Sequence, residues 1–233
     1  MLESLKEQVC KANLELVKHG LVVMTWGNVS GIDRTQGLVV IKPSGVAYDA
    51  MRPSDMVVVN MDGAVVDGTL KPSSDLPTHL ALYRAWEEVG GVVHTHSMYA
   101  TMFAQVGHGI RCFGTTHADH FHGDVPCTRE LTEQEVSGDY EGNTGSVIVE
   151  RFKALDPMHT PAVLVANHGP FTWGQSADTA VCNAVALEAV AQMALGSLTL
   201  KPALHPIAGY LQEKHFGRKH GPKAYYGQES SNR

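Results

Sequence analysis

The chain has 233 residues, 43% of them hydrophobic and 18% charged, and a formal net charge of -6. This length and composition are those of a single globular domain, and a negatively charged chain lacks the basic face that nucleic acid requires. The four cysteines form no Cys-x-x-Cys pair, the N-terminus is not signal-like, and no apolar run approaches the roughly 20 residues of a membrane helix, so we expect a cytoplasmic protein.

Hydrophobic periodicity predicts helices that alternate with short strands. In chain order the predicted elements are a helix over 2–19, strands over 38–41, 56–59 and 64–66, a helix beginning at 73–75, a strand over 92–95, a helix over 97–106, strands over 147–149 and 163–165, and helices over 176–195 and 206–217. Residues 107–146 show little periodicity and are predicted to be mostly loop. The pattern predicts an α/β fold in which helices cover a mixed sheet.

The strongest local signal is the segment His94-Thr95-His96, which follows the apolar run Gly91-Val92-Val93. Side chains at i and i+2 of a strand point to the same side, so both imidazoles face one point. His168 offers a third ligand, and catalytic zinc takes three protein ligands and keeps an open position. The alternative is that the pair consists of two unrelated loop histidines among the 13 histidines of the chain.

Three turns combine small hydroxyl residues, glycine or amide side chains, and they suit a bound anion. They are Thr25-Trp26-Gly27-Asn28, Lys42-Pro43-Ser44-Gly45 and Pro72-Ser73-Ser74-Asp75. Each turn alone is compatible with ordinary helix capping. Together, with Lys42 as the cation, they indicate a small phosphate, and the absence of a P-loop or a Gly-x-Gly-x-x-Gly motif argues against a nucleotide.

The C-terminal segment is basic and contains Tyr225 and Tyr226. It is either a solvated tail or a segment that meets an anion or a neighbouring subunit. Asp119, within Gly114-Thr115-Thr116-His117-Ala118-Asp119, is either a turn residue or an acid–base group.

These motifs occur in an order that resembles the class II aldolase/adducin superfamily, and within it the pentulose-phosphate 4-epimerases. The segments that carry the resemblance are TWGNVS, IKPSGV, KPSSD, HTHS, GTTHAD, NHGPF and KHGPKAYYGQ. The resemblance implies a three-layer α/β/α fold with a central, mainly antiparallel sheet. It implies one domain over residues 1–228, followed by a short flexible tail over 229–233.

The resemblance also implies a role for each matching residue. The implied zinc ligands are His94, His96 and His168, with Asp75 closing the metal site and one zinc ion per subunit. The implied substrate and phosphate residues are Gly27, Asn28, Lys42, Ser44, Gly45, Ser73, Ser74, Thr115 and His215. Asp119 and Tyr226 would be the acid–base pair. Related aldolases have Glu at the place of Asp75, so Asp75 favours the epimerase branch.

The function implied is interconversion of L-ribulose 5-phosphate and D-xylulose 5-phosphate by cleavage and re-formation of the C3–C4 bond. A homotetramer with active sites between subunits is implied as well. Two alternatives stay open: an aldolase that releases its fragments, and an assembly module without catalytic activity.

Overall fold

The chain is described from a computed structural model, which covers residues 1–221 and 224–225. The strands are β1 (Asn28–Asp33), β2 (Leu38–Ile41), β3 (Val57–Asn60), β4 (Val65–Asp67), β5 (Gly91–His94), β6 (Ala162–Val165) and β7 (Gly169–Gly174). The helices are α1 (Glu3–Lys18), α2 (Leu76–Ala85), α3 (Met98–Gln105), α4 (Thr115–Ala118), α5 (Glu133–Ser137), α6 (Tyr140–Arg151), α7 (Ala177–Leu200) and α8 (Gly209–His220).

The strands form one sheet in the order β4-β3-β2-β1-β5-β7-β6, and neighbouring strands are antiparallel. At its centre, Asn28 on β1 lies opposite His94 on β5. On the other side of β5, His94 lies opposite Phe171 on β7. Asn28 and His94 therefore lie side by side at the same end of two central strands.

Helices cover both faces of the sheet, which confirms the predicted three-layer architecture. On one face, Leu16 of α1 and Ala180 of α7 pack in the same buried cluster as Val40 of β2. On the other face, Tyr83 of α2 and Ile148 of α6 pack with the alternate residues of the strands. The alternation follows from the period-2 geometry of a strand whose two faces are both buried.

Helix α7 has 24 residues and is long and apolar enough, by length and composition, to cross a membrane. Asp178, Asn183, Glu188 and Gln192 interrupt it, so it is not an uninterrupted apolar run. In the structure α7 packs along β7 and β5, and the residues it buries are Ala177, Ala180, Val181, Ala184, Ala186, Leu187, Val190, Ala191 and Ala194. Small side chains on this face let the helix lie close to the sheet.

Most predicted elements are confirmed, but the segment over 147–149 is not a strand. It lies inside α6, which starts at an N-cap where the Asp139 carboxylate accepts from the Gly142 amide at 3.2 Å. The predicted loop over 107–146 is accordingly wrong in part, since it contains α4, α5 and the start of α6. Burial of the apolar side of α6 against α2 outweighs the strand preference of three consecutive β-branched residues.

Two strands were not predicted. Strand β1 reads Asn-Val-Ser-Gly-Ile-Asp, and its buried polar residues hide the usual apolar pattern. Strand β7 begins with Gly169-Pro170, a pair typical of turns. Both strands border β5, so the prediction lacked the two strands that complete the site described next.

Candidate metal centre and substrate pocket

Three histidines converge where β5 ends beside the turn between β6 and β7. His94 is the last residue of β5, His96 follows two residues later, and His168 lies just before β7. Each offers one ligand atom, and these atoms lie within 4.8 Å of one another. The Nε2 atoms of His94 and His96 are 3.1 Å apart. The structure thus brings together the three residues predicted as ligands.

Burial keeps these imidazoles in the neutral form that binds metals. Burial lowers the pKa of His94 and of His96. The pKa of His168 is lowered to about 3 by burial and by its two histidine neighbours. The Nδ1 of His94 donates to the Pro170 carbonyl at 3.0 Å, which leaves Nε2 as its ligand atom. Three converging neutral imidazoles fit a zinc-like ion with an open coordination position.

Asp75 lies next to this cluster at the N-cap of α2. Its Oδ2 accepts from the Asn28 amide at 2.6 Å. Burial raises the pKa of Asp75, but His94, His79 and the Asn28 hydrogen bond together outweigh burial, so the pKa lies below its usual value. The carboxylate lines the same cavity as the histidines but does not belong to the group of atoms within 4.8 Å. Its role as a direct ligand stays a prediction.

The histidines open onto a cavity of about 630 Å³. The predicted anion-binding residues that line it are Gly27, Asn28, Lys42, Ser44, Gly45, Ser73 and Ser74. The backbone at Ser73 donates to the Lys42 carbonyl at 3.0 Å, so two of the three predicted turns are joined directly. One wall of the cavity is therefore rich in hydroxyl and backbone donors, and the histidines lie in the same cavity.

Lys42 is the cation of this wall, and it is only 2% exposed. Its ammonium Nζ donates to the Pro43 carbonyl at 3.3 Å and lies 4.9 Å from the centre of the Tyr48 ring. Burial lowers the pKa of Lys42, and no ion pair joins it to a carboxylate in the described part of the chain. A buried ammonium without a counter-charge favours an anionic ligand.

Gly27 holds the first turn against β5, the strand that ends at His94. Its φ is +90°, and a Cβ there would lie 2.8 Å from the His94 carbonyl oxygen. Only glycine fits this conformation and this close approach. The predicted phosphate turn and the predicted metal ligand His94 are in this way fixed to each other through backbone contact.

The predicted catalytic and binding residues Asp119, Thr115 and His215 are not among the residues that line this cavity. Asp119 ends α4 and contacts α8: Arg218 donates to its Oδ1 at 2.9 Å through Nε and to its Oδ2 at 2.6 Å through Nη2. His215 Nδ1 lies 3.1 Å from the same carboxylate. Tyr226, the other predicted catalytic residue, lies outside the described residues.

The electrostatics of Asp119 follow from these contacts. Burial raises the pKa of the carboxyl, but the hydrogen bonds from Arg218 and His215 outweigh it and hold the pKa below its usual value. Asp119 is therefore ionised at neutral pH and is in the form that accepts a proton.

Two residues at the cavity were missed by the sequence analysis: Tyr140 and Glu141, at the start of α6. The hydroxyl of Tyr140 lies 3.3 Å from His168 Nδ1. Neither residue belongs to a recognisable motif, and both fall in the segment predicted to be loop. A capping analysis of Asp139 would have placed a helix start there.

Known proteins resemble this chain in sequence and in fold. Residues 7–195 match the family model described as "Class II Aldolase and Adducin N-terminal domain". The chain is 59% identical over 228 residues to "L-ribulose-5-phosphate 4-epimerase UlaF" of Salmonella paratyphi B and, at the same identity, to its counterpart in Salmonella typhi; each alignment covers 98% of this chain and 100% of the relative.

Solved structures show the same fold. An L-fuculose 1-phosphate aldolase superposes with a TM-score of 0.77 at 25% identity, covering 91% of this chain and 94% of the aldolase chain. A second one, from Glaciozyma antarctica PI12, has a TM-score of 0.77 at 22% identity and covers 93% of this chain and 81% of that chain.

Proposed function

Because the chain belongs to the class II aldolase and adducin family, whose class II aldolases are metal-dependent enzymes, we propose that it is an L-ribulose-5-phosphate 4-epimerase. The observation that carries the proposal is the 59% identity, over the full length of the relative, to a protein of that name. The site supports it, since a three-histidine cluster and a buried lysine share one cavity.

The reaction requires cleavage of a carbon–carbon bond. Carbon 4 of L-ribulose 5-phosphate is not adjacent to the carbonyl at C2, so simple proton removal cannot invert it. Loss of the C4 hydroxyl proton and cleavage of the C3–C4 bond give glycolaldehyde phosphate and the enediolate of the three-carbon fragment. The aldehyde turns, C3 attacks its other face, and a proton returns to the C4 oxygen, giving D-xylulose 5-phosphate.

His94, His96 and His168 would hold the metal, for which we propose zinc, with Asp75 beside it. Bound there, a divalent ion supplies a Lewis acid that stabilises negative charge on oxygen. Lys42 and the turns around it would hold the phosphate of the two-carbon fragment while the aldehyde turns. Asp119 and Tyr226 would move the protons, because each face of the aldehyde needs its own acid–base group. The Thr115 carbonyl accepts from the Asp119 amide, and His215 contacts the Asp119 carboxylate. Both residues would assist substrate binding beside Asp119.

The position of Asp119 supports a site built from more than one subunit. Its carboxylate is bound by α8 and does not line the cavity of its own chain, so we propose that it serves the cavity of a neighbouring copy in a homotetramer. Large apolar side chains exposed around the cavity mouth and on α3 are consistent with such contacts: Met24 is 75% exposed, Trp26 52% and Met98 64%. We further propose one catalytic domain over residues 1–228 and a cytoplasmic location, in keeping with four free cysteines.

A coupled assay tests the proposed function directly. We expect the purified enzyme to convert L-ribulose 5-phosphate to D-xylulose 5-phosphate, a chelator to abolish turnover without unfolding, and elemental analysis to find zinc. His96→Asn should lower the zinc content and the rate together. Net release of glycolaldehyde phosphate would identify an aldolase instead. If the zinc-loaded protein shows no turnover, the chain is a binding or assembly module.

A further inference from the structure

The tautomer of a histidine decides which of its nitrogens can bind a metal. A neutral imidazole carries one N–H, and only the other nitrogen offers a lone pair. Metal-binding histidines therefore usually donate the remaining N–H to a fixed acceptor, which orients the ring. In this site the Pro170 carbonyl performs that task for His94.

His168 has a different partner. Its Nδ1 lies 3.3 Å from the Tyr140 hydroxyl, and the two rings are 6.0 Å apart at a tilt of 32°. A hydroxyl can accept from Nδ1–H, and in that arrangement Nε2 is the ligand atom, as it is for His94. The ring of His168 is also within 4.8 Å of that of His94 and 5.1 Å of that of His96, centre to centre.

The fold holds Tyr140 firmly. It is the first residue of α6, directly after the N-cap residue Asp139. Its carbonyl accepts from the Thr144 hydroxyl at 2.9 Å, and the next carbonyl, that of Glu141, accepts from the Thr78 hydroxyl of α2 at 2.6 Å. Tyr140 is thus attached to the helix whose N-cap is Asp75, and its hydroxyl reaches His168 from a rigid base.

We propose that Tyr140 is a positioning residue for the metal centre: it accepts the Nδ1–H of His168 and so presents Nε2 of that ring to the metal. The inference rests on the proposed metal site and not on the identity of the sugar. His168 sits in a turn, where Asn167 has a φ of +62°, so a side-chain partner replaces the strand carbonyl available to His94. Loss of such an acceptor typically lowers metal affinity about 10- to 100-fold.

The test is zinc affinity measured on the metal-free protein by competition with a chromophoric chelator. Tyr140→Phe removes only the hydroxyl, and we expect its zinc dissociation constant to rise about 10- to 100-fold. The absorption spectrum of the cobalt-loaded variant should also change, since the orientation of one ligand changes. The control is Tyr99→Phe, which removes a hydroxyl that accepts a hydrogen bond from Gln192 on the surface between α3 and α7. The zinc affinity and the cobalt spectrum of this variant should keep their wild-type values.

Circular dichroism and thermal melting of the metal-free variants verify that both are folded. An unchanged zinc affinity and cobalt spectrum in folded Tyr140→Phe would overturn the proposal, and so would an equal loss of affinity in Tyr99→Phe. Because no substrate is used, the result is independent of whether the enzyme epimerises L-ribulose 5-phosphate.

Discussion

At the scale of single residues, Asp119 shows how a contact far along the chain sets the chemistry of a side chain. Arg218 binds both oxygens of its carboxylate, a geometry that strengthens the pair and favours ionisation. His215 and His220 contact the same residue, the latter at its carbonyl at 2.9 Å. Asp119 is therefore held in its ionised form and is also the point where α8 attaches to α4.

Arg218→Gln should move the acid limb of the pH–rate profile to higher pH. In the proposed role Asp119 acts as a base when ionised, and its low pKa extends activity to lower pH. Loss of Arg218 raises that pKa, so turnover falls at a higher pH on acidification. Asp119→Asn should lower turnover about 100- to 10,000-fold at every pH while zinc stays bound. Arg129→Gln, which breaks an exposed pair with Glu135 and Glu150, is the control. An unmoved acid limb would exclude the role of Arg218.

At the scale of elements, the crossing of α2 and α6 positions the site. Helix α2 begins at Leu76, directly after its N-cap Asp75, and α6 begins at Tyr140. The two helices touch closely at Gly145, where a Cβ would lie 2.5 Å from the Cβ of Ala81 and 3.3 Å from the Cα of Thr78. Their separation therefore depends on the absence of a side chain at one position.

Gly145→Ala should force the two helices apart. We expect a loss of about 1–3 kcal/mol in the free energy of unfolding, the range for overpacking a tight contact, together with weaker zinc binding. The control is Gly196→Ala in α7, where a Cβ meets nothing within 4 Å and a gain of up to about 1 kcal/mol is expected. Chemical denaturation measures both. Equal stabilities of the two variants would show that the helices adjust without strain.

The parts of the site that could be predicted lie within short continuous segments of the sequence. His94 and His96 are two residues apart at the end of one strand, and Lys42 lies in a turn marked by Pro43 and Gly45. Tyr140 could not be predicted, because a single tyrosine in a non-periodic segment gives no signal until α6 is placed. Likewise, the contact of Asp119 with Arg218 joins residues 99 positions apart.

At the scale of the whole molecule, buried histidines make the fold sensitive to acid. His79 is fully buried, with its Nδ1 2.7 Å from Ser30 Oγ, and His117 contacts the Gly123 carbonyl at 2.9 Å through Nε2. Burial lowers the pKa of His79 from 6.5 to about 3 and that of His117 from 6.5 to about 4. Below pH 6.5 the unfolded chain takes up protons that these folded rings do not, so acid favours unfolding.

The metal-free protein should therefore lose stability between pH 7 and pH 5. Each of these two histidines contributes a loss of about 2 kcal/mol at pH 5, since one pKa unit corresponds to about 1.4 kcal/mol. Urea unfolding at both pH values, at a fixed protein concentration, measures it. In His117→Gln the difference in the free energy of unfolding between pH 7 and pH 5 should be smaller by about 2 kcal/mol. A stability that does not change with pH in the wild type would contradict the assigned protonation states.

The burial of Lys42 has a consequence for the lifetime of the protein. An ammonium enclosed by a carbonyl and an aromatic ring is poorly solvated, and a phosphate bound beside it, as proposed, would relieve that cost. Binding to the folded form alone adds about 2.7 kcal/mol at a ligand concentration 100 times the dissociation constant. The lifetime of the enzyme in a cell would then follow the supply of its own substrate, so that starvation for the sugar favours degradation of the protein that consumes it.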